Sequence, residues 1–155
     1  MGFGTVATHI ILFIALLTVT TSVAVLFKGY VDSSGSALKT QQQFLFDQLR
    51  TSVEITSLSF NSSADPQQTH IYVLNVGKTK LDINKTDIFI DGIRFARNDS
   101  ERIIRVENDT DVVNKGIWDP DEVVFIQANR KLSSGKHTVL VVTEFGVGDS
   151  EVMST

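Results

Sequence analysis

The 155-residue sequence contains no cysteine, which excludes disulfide bonds, thiol chemistry and cysteine-ligated metal sites together. It also lacks a basic face. Between Val53 and Thr155 there are 11 Lys and Arg against 16 Asp and Glu, a net charge of −5 with His neutral. That is the wrong sign for binding phosphate backbones or an anionic membrane surface, and no Lys/Arg cluster interleaved with aromatics occurs, so nucleic acid is not an expected partner. Glycine-rich phosphate loops, HExxH pairs and the EF-hand spacing are missing as well. The absence that organises the whole chain is local: from Thr5 to Phe27 there is no Asp, Glu, Lys or Arg.

Those 23 residues, wound as a helix, would reach about 35 Å, enough to cross a hydrocarbon core with some tilt. A cleaved signal peptide has a basic leading region, a short apolar core and a small-residue cleavage site. Here Met1-Gly2-Phe3-Gly4 precedes the run without Lys or Arg, and the run is too long, so the expectation is a retained anchor bounded by Thr5 and Phe27. Thr8, Thr18, Thr20, Thr21 and Ser22 are compatible with it, because helical hydroxyls bond back to carbonyls one turn earlier. His9, near the start of the run, is read as an interfacial group rather than part of a proton path.

Beyond the anchor, Lys28-Gly29-Tyr30 has the snorkelling cation and amphipathic ring of a membrane border. Residues 28–52 read as a helical juxtamembrane stalk. Val31, Leu38, Leu45 and Ser52 are seven apart and Leu49 follows Leu45 by four, so the stalk carries a narrow apolar seam that suits either its own domain or a partner helix. Phe44 and Phe46 lie off that seam and need cover.

From Val53 the hydrophobic period becomes two. VEITSLSF, HIYVLNV, TKLDI, DIFID, IRFAR, RIIRV, EVVFIQA and HTVLVVTE are short runs rich in Val, Ile, Phe and Thr between turn residues. Asp91-Gly92 is a strong hairpin signal, and Asn75-Val76-Gly77-Lys78 and Ser133-Ser134-Gly135-Lys136 read as further turns. The architecture expected is an N-terminal single transmembrane α-helix followed by an all-β immunoglobulin-like β-sandwich over residues 53–155. Its core is expected from Val53, Ile55, Tyr72, Leu74, Leu81, Ile83, Ile88, Ile90, Val123, Phe125, Val139 and Val141, an assignment that a slip of one residue would invert. The first strand at Val53 and the strand before Gly146-Val147-Gly148 are expected at sheet edges, where self-association would occur.

No catalytic constellation, cofactor motif or metal-ligand set can be assembled. His70 and His137 fall in separate strands without a nucleophile motif beside them. Asn108-Asp109-Thr110-Asp111 and Asp119-Pro120-Asp121-Glu122 offer oxygen ligands for Ca²⁺, but read more simply as solvated acidic loops. Trp118, with Val53 and Val141, is a candidate interface residue, and Trp118 equally suits capping a core. Four of the seven asparagines, Asn61, Asn84, Asn98 and Asn108, head Asn-x-Ser/Thr sequons and are candidate N-glycosylation sites, which favours a domain outside the cytoplasm. Lys28 and Lys39 follow the span with nothing basic before it, a weaker signal of the opposite sense.

Several stretches together resemble the FlaF family of membrane-anchored archaellum accessory proteins: Met1-Gly2-Phe3-Gly4 running into the apolar helix, Thr51-Ser52-Val53-Glu54-Ile55-Thr56, Asn75-Val76-Gly77, Asp87-Ile88-Phe89-Ile90-Asp91-Gly92, Ile117-Trp118-Asp119-Pro120-Asp121-Glu122 and Val141-Val142-Thr143-Glu144-Phe145-Gly146-Val147. The sister FlaG family and the archaellins share the plan of helix plus β-sandwich. Archaellins carry a basic residue and Gly ahead of the helix, and no Lys or Arg precedes Gly2 here. The resemblance implies a non-enzymatic stator component. It would be anchored in the cell membrane by one span, with its domain beneath the S-layer. Its implied partners are S-layer protein, a FlaG-like protein and further copies of itself, as a homodimer or higher oligomer. The alternative is a pilin- or archaellin-type filament subunit.

Overall fold

The computed structural model describes residues 2–155, and Met1, the first residue of the expected 1–4 N-terminal end, lies outside them. One long helix, α1, covers Phe3–Arg50. The chain divides into two compact units, the first ending at Gln43 and the second running from Phe44 to Thr155.

The apolar part of α1 is rich in β-branched residues, which are mediocre helix formers in water. In hydrocarbon every backbone group must pair within its own segment, which makes the helix obligatory there. The hydroxyls follow the same rule: Thr18 donates to the Ile14 carbonyl at 2.6 Å, Thr20 to Leu16 at 2.7 Å, Thr21 to Leu17 at 2.5 Å and Ser22 to Thr18 at 2.8 Å. The apolar window of this helix is exposed.

The second unit is a sandwich of two four-stranded antiparallel sheets. Its strands are β1 Val53–Asn61, β2 Gln68–Asn75, β3 Asp87–Ile90, β4 Ile93–Arg94, β5 Arg102–Val106, β6 Val123–Asn129, β7 Lys136–Val142 and β8 Gly148–Ser154. One sheet has the order β1-β2-β6-β5 and the other β4-β3-β7-β8. Ile55, Ile71, Val73, Ile88, Ile90, Val124, Ile126, Val139 and Val141 meet between them, closed at one end by Leu81 and Trp118. Asp91 and Gly92 both have positive φ, 53° and 76°, so the β3–β4 hairpin turns as its Asp-Gly pair requires.

Several expectations need correction. Thr79–Ile83 is not a strand: Leu81 makes a single bridge to Trp118, and a 3-10 turn follows over Ile83–Lys85. Only Ile93 and Arg94 of the IRFAR run pair. The strand before Gly146 is β7, which lies inside its sheet, and the edge is β8 beyond the glycine turn. Its sequence, GDSEVMS, carries almost no alternation to find it by. Tyr72, Leu74, Val123 and Phe125 point away from the core, because β2 and β6 bury Ile71, Val73, Val124 and Ile126 instead. Both strands are apolar on both faces, so alternation alone does not set their phase.

Candidate functional site

In the second unit the last residues of α1 meet the sandwich through Phe44, whose ring lies 5.8 Å from that of Phe145, and through Gln48 Nε2, which donates to the Phe145 carbonyl at 2.9 Å. The end of the helix is held by the turn after β2. Gly77 N–H donates to Ser52 O at 2.9 Å, just past the helix, and Lys78 N–H to Arg50 O at 2.8 Å, a carbonyl the helix leaves free. A Cβ on Gly77 would stand 2.5 Å from Ser52 N and 2.7 Å from Arg50 O, so the close approach needs glycine. The stalk seam faces away from this contact, leaving Leu45 and Leu49 exposed.

The acidic loops between β5 and β6 bind their own backbone. Glu122 is 3% exposed; its Oε1 accepts from Val112 N–H at 3.2 Å and Val113 N–H at 3.3 Å, and its Oε2 from Asp119 N–H at 2.9 Å. Asp111 Oδ2 accepts from Gly116 N–H at 2.9 Å. Asp119 Oδ2 accepts from Asn114 Nδ2 at 2.8 Å, and its Oδ1 lies 3.3 Å from Lys80 Nζ. These carboxylates shape a loop whose Val112 and Val113 are exposed. Among the described residues no group of three or more His, Asp or Glu is placed to hold a metal ion.

At the opposite end of the sandwich, His137 Nδ1 lies 2.6 Å from Asp91 Oδ2 and its Nε2 2.8 Å from the Ser133 carbonyl. Both ring nitrogens face acceptors, an arrangement that only the doubly protonated ring satisfies. The Asp91 carboxylate, then the Ser133 carbonyl, raise the His137 pKa, and His137 in turn lowers that of Asp91. Sequence reasoning missed this clasp. Its partners are 46 residues apart, and only the His in a strand and the Asp in a hairpin hint at it.

On the flank beyond β5, Asp87 takes hydrogen bonds from Arg94 and Arg97 at 2.7–3.0 Å. Burial pushes its carboxyl up, yet Arg97 and Arg94 bring it to a net value below the ordinary one. Arg102, 4% exposed, donates to the carbonyls of Thr86 and Asn84 and so caps the 3-10 turn.

The residues singled out from sequence do not converge on one site. Thr5 and Phe27 lie within α1, and His9 Nδ1 is 2.6 Å from the Thr5 carbonyl. Asn61, Asn84, Asn98 and Asn108 are all exposed. Val53, Trp118 and Val141 are 6%, 0% and 0% exposed, so the interface expected on them is corrected: they are core, and the Trp118 indole spends its donor on the Glu122 carbonyl at 2.9 Å.

The family model of archaeal-type flagellins matches residues 2–151. An uncharacterized protein of Archaeoglobus fulgidus is 31% identical, over 97% of this chain and 94% of its own length. Among solved structures, the archaellum periplasmic stator protein FlaG of Sulfolobus acidocaldarius is similar at 21% identity and a TM-score of 0.52, over 66% of this chain and 99% of that one. A chain of the archaellum periplasmic stator protein complex of FlaF and FlaG from the same organism aligns at 20% identity and a TM-score of 0.49, over 65% of this chain and 87% of that one. The likeness to FlaG is one of fold.

Proposed function

The chain belongs to the archaeal-type flagellin family, and from that premise we propose that it is a membrane-anchored structural component of the archaellum motor. In this reading residues 5–27 span the cell membrane once, residues 28–52 form the stalk, and the sandwich of residues 53–155 stands outside the cytoplasm beneath the S-layer. There it takes hold of S-layer protein and a FlaG-like partner, so that torque acts against the envelope. The observation that carries the proposal is the joining, within one member of this family, of a helix whose stretch from Thr5 to Phe27 is apolar and free of charge to a sandwich of the FlaG fold. The four exposed sequon asparagines support the outside location. Glycosylation at Asn61, Asn84, Asn98 and Asn108 belongs to the same proposal. In the acidic loops, both oxygens of Glu122 and one of Asp111 are taken up by backbone N–H donors, which suits a role in shaping the loop.

Membership among flagellins also favours a second reading, a filament-forming subunit whose apolar helix packs against copies of itself rather than lipid. The absence of native cysteine allows a clean test of location. A chain carrying only Thr138→Cys, an exposed position, is expressed in archaeal cells and treated with a membrane-impermeant maleimide. Labelling in intact cells, with the protein retained in carbonate-washed membranes, is the expected result. Labelling only after lysis would sink the proposed topology, and recovery in sheared filaments would favour the subunit.

A further inference from the structure

The four sequons share one sequence pattern but meet different fates in the folded domain. A sequon is read through two groups, the Asn side-chain amide that takes the sugar and the Ser or Thr hydroxyl two residues on. All four asparagines are exposed, so the hydroxyls decide. Thr86, which completes the sequon of Asn84, is 0% exposed, and its Oγ1 donates to the Asp82 carbonyl at 3.3 Å. The carbonyls of Thr86 and Asn84 are in turn held by the buried Arg102. Thr110, which completes the sequon of Asn108, is half-buried. Its Oγ1 donates to the Glu107 carbonyl at 3.1 Å and accepts from Val123 N–H at 3.0 Å, fastening the loop to the first residue of β6. Presenting either hydroxyl to an enzyme requires local unfolding, and withdrawing Thr110 orphans a strand N–H.

Asn61 and Asn98 are built the other way. Ser63 and Ser100, their hydroxyl residues, are both exposed. Asn61 Oδ1 accepts from Ser63 N–H at 3.1 Å, and Asn98 Oδ1 accepts from Ser100 Oγ at 2.8 Å and from Glu101 N–H at 2.9 Å. In each turn the amide folds back on the residue that carries the hydroxyl, so the two groups reach solvent together. Asn61, Gln68 and Asn129 are in register across β1, β2 and β6, and Asn129 Nδ2 donates to the Ser100 carbonyl at 3.2 Å. Both open sequons therefore flank one end of that sheet, the end remote from Val53 and the helix.

We infer that the folded sandwich accepts oligosaccharide at Asn61 and Asn98 and is closed to it at Asn84 and Asn108, where modification has to precede folding. The inference rests on the glycosylation reading above, which treats the four alike, and divides them. The donor is a lipid-linked oligosaccharide. A bond forms from Asn Nδ2 to the sugar C1, the C1–O bond to the lipid phosphate breaks, the phosphate leaves with the electron pair, and one amide proton passes to solvent. The open sequons end in Ser and the closed ones in Thr. In an unfolded chain Thr sequons are at least as good acceptors as Ser sequons, so the fold and the bare sequence predict opposite orders.

The test uses the full chain, made without glycan in bacterial membranes and mixed with archaeal membranes that supply the transferase and its lipid-linked oligosaccharide. Peptides of residues 57–67, 80–90, 94–104 and 104–114 serve as unfolded acceptors. Occupancy at each site is read by mass spectrometry of proteolytic glycopeptides. In the folded chain Asn61 and Asn98 should exceed Asn84 and Asn108 at least several-fold. Among the peptides, those of Asn84 and Asn108 should be modified at least as well as the other two. Equal occupancy at all four sites of the folded chain, dominance of Asn84 and Asn108, or a peptide order that matches the chain's would overturn the inference. Modified peptides beside a chain bare at every site would overturn it as well. Glycopeptides of the chain purified from archaeal cells are a separate readout: none at any site there, beside the expected selection in the mixed membranes, marks failure of the glycosylation reading and not of this selection.

Discussion

At the helix-proximal end of the sandwich, Glu122 is 3% exposed and gives both carboxylate oxygens to backbone N–H donors. At the far end, the Asp91 side chain is 45% exposed and pairs with a His137 side chain that is 7% exposed. Both ends are tied by a carboxylate, yet their energetics differ in kind. A buried carboxylate that satisfies three backbone donors is missed by the full desolvation cost of those donors when it is removed. A carboxylate largely in water gains little from its partner, and that gain is titratable. Burial, more than charge, sets which end is costly to disturb.

The largest expected effect therefore belongs to Glu122→Ala, which leaves the N–H groups of Val112, Val113 and Asp119 without an acceptor and should destabilise the sandwich by about 2–4 kcal/mol. Trp118 is the sole tryptophan and fully buried, so its fluorescence during urea unfolding reports this directly. A loss under about 1 kcal/mol would mean that water replaces the carboxylate without cost. Gly77→Ala comes next. The added methyl group meets backbone atoms of Arg50 and Ser52 rather than a movable side chain, and about 1–3 kcal/mol is expected from the forced shift. Wild-type stability after that substitution would show that the helix end is not held by the turn.

The smallest effect, and the one with a pH signature, lies at the far end. The raised His137 pKa gives a contribution that is full below the unfolded value, about 6.5, and is lost as pH rises through the folded value. The lowered Asp91 pKa gives one present above about 3.9 that is lost as pH falls through its folded value. The clasp is thus strongest between roughly pH 4 and 6.5, and thermal unfolding midpoints should decline from pH 6 to pH 9. Asp91→Asn keeps a residue that tolerates positive φ in the turn while removing the charge, and should flatten that decline. An unchanged slope in the variant would place the pH dependence elsewhere.

Legibility from sequence follows the same physics. The helix was readable because absence of charge over Thr5–Phe27 is a one-dimensional signal, and the Asp91-Gly92 turn because its backbone demands those residues. β2 and β6 were readable as strands but not in phase: HIYVLN and VVFIQA are apolar at successive positions, so Tyr72 and Phe125 pass for core when Ile71 and Ile126 are. β8 was missed because an edge strand of Gly, Asp, Ser and Glu has few apolar positions to alternate. The acidic loops read as solvated because sequence shows carboxylates and not the backbone donors, Val112, Val113, Gly116 and Asp119, that turn toward them. The Trp118 environment was half readable, since capping a core and anchoring an interface ask for the same side chain.

The central claim, that this chain ties an archaellum motor to the cell envelope, is tested most directly by lysine-reactive crosslinking and mass spectrometry on intact cells. The exposed Lys78, Lys80, Lys115 and Lys136 are the reporters. Links from these residues to surface-layer protein or to another stator subunit are predicted. Links confined to copies of the chain itself within filaments, with no envelope protein among them, would contradict it.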